Sequence, residues 1–249
     1  PAAADRLLQV GDQQYTISGR NRKGRAPGWA EMTVKDRTRA VAVRDFWQQW
    51  PKALEVGPDG IKVGLFPRFE AGEFDHMLDP WYKHDYLFDG NCYRMRTGQV
   101  RRWQVWIDLN GDGTGLAQHA NTPLVPAADP AQAMATGVFG DILPAGSPGM
   151  LDYDRWAEAA FDGYVEAIDQ SRDYGAMNWG DWFGERKCNW GNEEYDTTRQ
   201  IILEYARTGD PKYLHRGGSN ARHNSEVDII HFVNADLTRY FTDQVCKSY

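Results

Sequence analysis

The hydrophobic period of this 249-residue chain changes once, near residue 150, and that change limits the folds open to it. Before it, apolar and polar residues alternate at the period of a strand. Gln14-Tyr15-Thr16-Ile17-Ser18 and Arg39-Ala40-Val41-Ala42-Val43-Arg44 show the alternation, and residues 60–66 and 103–109 are further strand-like runs. Turn signals separate them: Pro58-Asp59-Gly60, Asp89-Gly90-Asn91 and Asn110-Gly111-Asp112-Gly113. Short strands with frequent turns predict an antiparallel β barrel or sandwich over residues 1–114. Residues 43–51 are an exception. Phe46, Trp47 and Trp50 share one helical face and Pro51 stops the run, which predicts a single helical turn packed on the sheet.

After residue 150 the apolar residues recur at three- and four-residue steps: Trp156, Ala160, Phe161, Tyr164, Val165 and Ile168, with Asp152 as the expected N-cap. A second helix is expected after Asn192, a good cap, with Glu193 and Glu194 in its first turn and Gly209 at its end. Asp210-Pro211 reads as the start of a short turn, and residues 219–244 as a third helix. Residues 115–150 carry Pro123, Pro126, Pro130, Pro144 and Pro148, which predicts a surface connection without helix or strand. The expected class is therefore α+β and multidomain: a β-rich unit over 1–114, a connection over 115–150 and a helical unit over 151–249.

Composition narrows function. The net charge of −7 argues against general nucleic-acid binding, which needs clustered Lys and Arg. No run of about 20 apolar residues is present to span a bilayer as a helix. Ten Trp and twelve Tyr supply flat faces suited to sugar rings, or to a large aromatic core. Cys92, Cys188 and Cys246 are too widely spaced for a metal motif or a disulfide framework. The start at Pro1 shows no leader and reads as internal.

The densest chemistry lies in residues 172–196. Trp179, Trp182, Trp190, Asn178, Asn189 and Asn192 fall there among glycines and without periodicity, which predicts a long ordered loop. Its Trp rings offer platforms for sugars; the competing reading is a plug at the base of a helical domain. Downstream come Arg222, His223, Asp228 and His231, with positions 223, 227 and 231 expected on one helical face. Two His at two turns do not have the one-turn spacing of a helical metal pair, so no metal is expected. A buried structural His and a general base near neutral pH are the readings left open. Residues 108–114 match the opening of a calcium loop, but His119 falls where the bidentate Glu belongs. Phosphate-loop, nucleophile-elbow and Cys–His signatures are missing, and no cofactor is expected.

Tyr174-Gly175, Asn178-Trp179-Gly180-Asp181-Trp182, Asn189-Trp190-Gly191-Asn192, Glu194-Tyr195-Asp196, Ala221-Arg222-His223, Val227-Asp228 and His231 together resemble the central domain of the exo-rhamnogalacturonan lyase-like family. Phe46-Trp47-Gln48-Gln49-Trp50-Pro51-Lys52 and Gly60-Ile61-Lys62-Val63 resemble the RIFT-type β-barrel that precedes it. The resemblance implies an α/α toroid that cleaves uronate-containing, rhamnogalacturonan-like polysaccharide by β-elimination, in an extracellular or periplasmic setting. The helices expected in 151–249 are too few to close a toroid, so the chain is expected to be a fragment. β-Elimination needs a cation or acid on the uronate carboxylate, a base for the C5 proton and an acid for the leaving oxygen. Arg222 or Arg186 suits the first role; His223, His231 or Tyr195 the second; Tyr174 or Tyr195 the third. Substrate contacts are expected from Tyr174, Asn178, Trp179, Trp182, Arg186, Asn189, Trp190, Asn192 and Glu194, on an acidic polysaccharide or oligosaccharide. Two alternatives stand beside this: a hydrolase using paired carboxylates such as Asp181 and Glu194, and a carbohydrate-binding module without turnover.

Overall fold

The computed structural model describes residues 5–71, 87–95, 97–127, 129–183, 191 and 194–232. Its class is mixed α+β, with antiparallel sheets followed by helices. The first sheet has five strands in the order β3-β2-β1-β6-β7: Arg20–Lys23, Gln14–Ile17, Asp5–Gly11, Lys52–Gly57 and Gly60–Gly64. Leu8 sits opposite Ala53 and Leu54 opposite Val63, so one register runs across three strands. The second sheet orders β10-β5-β4: Val105–Asp108, Arg37–Val43 and Trp29–Val34. The two faces meet through Ala30, Val43, Phe46 and Leu54, giving a sandwich-like core. A small hairpin pairs β8 (Phe88–Asp89) with β9 (Cys92–Tyr93). All four alternating or strand-like runs seen in the sequence form strands, and the Pro58-Asp59 pair makes a two-residue hairpin loop between Gly57 and Gly60.

Residues 44–49 form the expected single turn, with the Gln49 amide donating to the Asp45 carbonyl at 3.0 Å. Phe46 and Trp50 drive it, since both are buried. The 115–150 segment departs from expectation, because it contains two helices. α1 (Gly113–Asn121) starts on the Asn110-Gly111-Asp112-Gly113 turn, where the Asp112 carboxylate accepts from the Gly115 amide at 2.7 Å. Its Ala117 and Ala120 let it lie close on Ala42 of β5. α2 (Pro130–Ala135) is capped by Asp129, and Pro130 sits in its first turn, where a proline assists. Reading the prolines only as breakers missed this. The calcium-loop match has the same origin: Asp108 and Asp112 accept from the amides of Asn110 and Gly115, so both serve as turn and cap carboxylates.

α3 runs over Leu151–Ser171, with Met150 at the N-cap and Asp152 inside the first turn rather than capping it. α4 (Thr197–Thr208) follows Asp196 and ends at Gly209; it begins after the stretch where Asn192 was expected to cap, and Asn192 lies outside the described residues. α5 (Pro211–His223) is capped by the Asp210 carboxylate, so the expected short turn is the first turn of a 13-residue helix. Asn224–Asp228 continue as a π turn, and residues 229–232 are not helical, which corrects the helix expected over 219–244. The helix thus starts at Pro211, ahead of the expected Ser219. A Cβ at Gly217 would meet Ile202 Cδ1 at 2.7 Å, so this glycine is where α5 packs on α4 rather than a break.

The β part and the helices share one core. Leu8 and Val10 of β1, Trp50, and Ala53 of β6 pack with Ile168 of α3, Tyr174 and Met177. Backbone bonds reinforce the junction: the amides of Gly175 and Ala176 donate to the carbonyls of Gln48 and Trp50, both at 2.7 Å. Among the described residues, no helix is long and apolar enough to cross a membrane.

Candidate functional site

Residues 173–183 leave α3, dock on the 44–50 turn and close on themselves, because the buried Asp173 carboxylate accepts from the Phe183 amide at 2.9 Å. Gly180 has φ of +107°, and a Cβ there would lie 2.4 Å from the Ser219 carbonyl and 2.7 Å from His223 Cβ. Only glycine allows that approach. It brings Asp181 beside α5. His223 Nε2 then stands 3.5 Å from Asp181 Oδ2 and 3.3 Å from Asp228 Oδ1. His223 and Asp181 are both buried. In an α-helix, residues five apart point about 140° away from each other. The π turn after His223, with its i→i+5 spacing, brings Asp228 back to the imidazole.

The other ring nitrogen, Nδ1, faces the Trp179 carbonyl at 3.3 Å. That carbonyl also accepts from Arg101 Nη2 at 2.9 Å. Arg101 Nη1 lies 3.5 Å from Glu226, and both side chains are almost wholly buried. Glu226 also accepts from the Arg102 amide at 3.0 Å, and the Val100 amide donates to the Glu226 carbonyl at 2.9 Å. The segment 100–102 thus holds the π turn, and the π turn holds Asp228.

A groove of about 700 Å³ lies between α3, α4 and α5. Trp182 and Tyr195 line it, with ring centroids 6.3 Å apart, and Tyr164 meets Trp182 edge-on at 5.6 Å. Tyr153 and Trp156 form its α3 wall and are well exposed. One end is polar: buried Arg207 pairs with Glu204 at 2.8 Å and with Asp154, and donates to the Leu143 carbonyl at 2.9 Å.

The expected site residues separate into several groups. Trp182 and Tyr195 line the groove. His223 belongs to the carboxylate cluster. Tyr174 is buried and its hydroxyl donates to Asp169 at 3.0 Å; burial, then the Asp169 charge, pushes that phenol well above its usual value. Asn178 is also buried, and Trp179 stacks on Tyr174 at 5.6 Å with the Arg216 guanidinium over the Trp179 ring at 4.9 Å. Arg222 is half-buried on α5 with no ion pair among the described residues; as the neighbour of His223 it points about 100° around the helix. His231 is exposed beyond the π turn, its amide bound to Gly98 and its ring against the Ser225 carbonyl, so it does not share a helical face with His223. Glu194 is exposed. Arg186, Asn189, Trp190 and Asn192 lie outside the described residues.

Neither a scan against protein-family models nor a search of curated proteins gives a match to this chain. The site must therefore be read from its own geometry. Sequence reasoning missed Tyr153 as a wall of the groove, and Arg101 and Glu226 as supports. Trp156 was expected within the apolar stripe of its helix; it is 64% exposed and lines the groove instead. The signal available was the pair Tyr153 and Trp156, aromatic positions three apart at the start of a polar helix.

Proposed function

We propose that the chain is part of a carbohydrate-active enzyme that binds a uronate-containing, rhamnogalacturonan-like polysaccharide and cleaves it by β-elimination, on a toroid-type helical scaffold. The observation that carries this reading is the groove: open aromatic faces from three elements, with polar groups at one end, suit the apolar faces and hydroxyls of a sugar chain. Within it, Tyr195 is the phenol of the expected set that reaches the groove, and it takes the proton-transfer role. Tyr174 is unsuited, since its hydroxyl is committed to Asp169 inside the core. Arg222, half-buried on α5 and outside the groove's lining residues, is proposed to supply the guanidinium for a uronate carboxylate. Paired-carboxylate hydrolysis is less favoured, because Asp181 is buried against His223 and accepts from the Trp182 amide at 2.7 Å.

One observation favours a second reading, a binding module without turnover: Glu204, the acid lining the groove, is held by Arg207. The test is incubation of the chain with rhamnogalacturonan and polygalacturonate. Elimination leaves a conjugated double bond, so ultraviolet absorbance should rise. Tyr195→Phe should lower that rate about 10²–10⁴-fold with binding retained. New reducing ends without absorbance would mean hydrolysis, and binding without either product would mean a module; both outcomes reject the lyase reading.

A further inference from the structure

We propose that Asp181, His223 and Asp228 form a site for one divalent cation of the zinc class. The claim goes beyond the lyase reading and does not depend on it. The three ligand atoms lie within 4.8 Å of one another. A tetrahedral cation at about 2.0–2.1 Å from its ligands sets them about 3.3–3.4 Å apart. The two distances from His223 Nε2, 3.3 and 3.5 Å, match that edge. They sit at or beyond the long end of an N–H···O hydrogen bond.

The supporting shell is that of a built site. A metal-bound imidazole donates its other N–H to a carbonyl or carboxylate, which fixes the ring. His223 Nδ1 faces the Trp179 carbonyl, and Arg101, paired with buried Glu226, holds that carbonyl in place. Two local features bring the ligands together: the glycine approach at Gly180 and the π turn before Asp228. One imidazole with two carboxylates suits Zn²⁺, Co²⁺ or Mn²⁺ better than a soft copper or iron–sulfur centre. Asp228 is partly exposed, so a fourth position faces solvent and takes water.

The experiment strips the chain with a chelator and titrates Zn²⁺ against a chromophoric competitor, with Co²⁺ absorbance as a second readout. One Zn²⁺ per chain is expected, and the Co²⁺ form should show the intense visible bands of a four-coordinate site. Asp228→Asn and Asp181→Asn should each weaken Zn²⁺ binding by more than about tenfold, since loss of even a supporting group costs that much. His231→Ala should leave it unchanged. Asp181 also caps the Trp182 amide, so Asp228→Asn, with a circular dichroism spectrum matching the parent, is the deciding variant. No binding at millimolar cation, or binding that survives Asp228→Asn, overturns the proposal.

Discussion

Lys52 is fully buried where the 44–50 turn enters β6, and its amine donates to the Gln49 and Pro51 carbonyls at 2.6 and 3.2 Å. The rings of Phe66 and Trp103 lie 5.5 and 5.2 Å from it. Burial, then the Arg101 charge, holds this amine well below the ordinary lysine value. The sign of the stability effect follows. Between the lowered folded value and about 10.4, the unfolded chain holds one proton more than the folded chain, so this residue makes stability rise with pH across that window. Below the folded value the cost of the buried ammonium is present in full. Lys52→Met removes the dependence. Urea midpoints measured at a series of pH values should show the parent gaining on the variant as pH rises; a constant gap would mean that Lys52 titrates normally in the fold.

Between elements, the buried Arg101–Glu226 pair ties segment 100–102 to the π turn. Glu226→Gln keeps the shape and removes one charge of a buried pair, so a loss of about 3–5 kcal/mol is expected in denaturant unfolding. A loss under about 1 kcal/mol would show that water reaches the pair. Neither residue stood out in the sequence, because an ion pair 125 positions apart leaves no local pattern. What the sequence does carry is local. The alternating runs became strands because one face of each packs on the sandwich core. The starts and ends of helices were less legible. The third helix begins at Pro211 rather than Ser219, and Pro130, read with its neighbours as opposing helix, starts one. The π turn has no composition of its own, so Asp228 could be named near His223 but not placed against it. The 172–196 segment stood out through its Trp, Asn and Gly content; that Asp181 and His223 meet depends on Gly180 fitting under Ser219, which is a tertiary fact.

At the scale of the whole molecule, the sheet and the helices are joined through one core rather than through a flexible link. Ile168 of α3 is 2% exposed and packs with Leu8, Val10, Trp50 and Met177. Arg172, just after α3, pairs with buried Asp12 just after β1, with Nε 3.0 Å from Oδ1. A chain of this length commonly unfolds through intermediates. A shared core opposes that, because neither part keeps its buried face without the other. Truncating Ile168 to Ala should cost about 2–5 kcal/mol. That loss should fall on both parts together: the helical far-ultraviolet signal and the tryptophan fluorescence should keep coincident denaturant midpoints, shifted by the same amount. If the helical signal melts early while fluorescence stays at the parental midpoint, the helices are an independent folding unit and the shared core does not couple them.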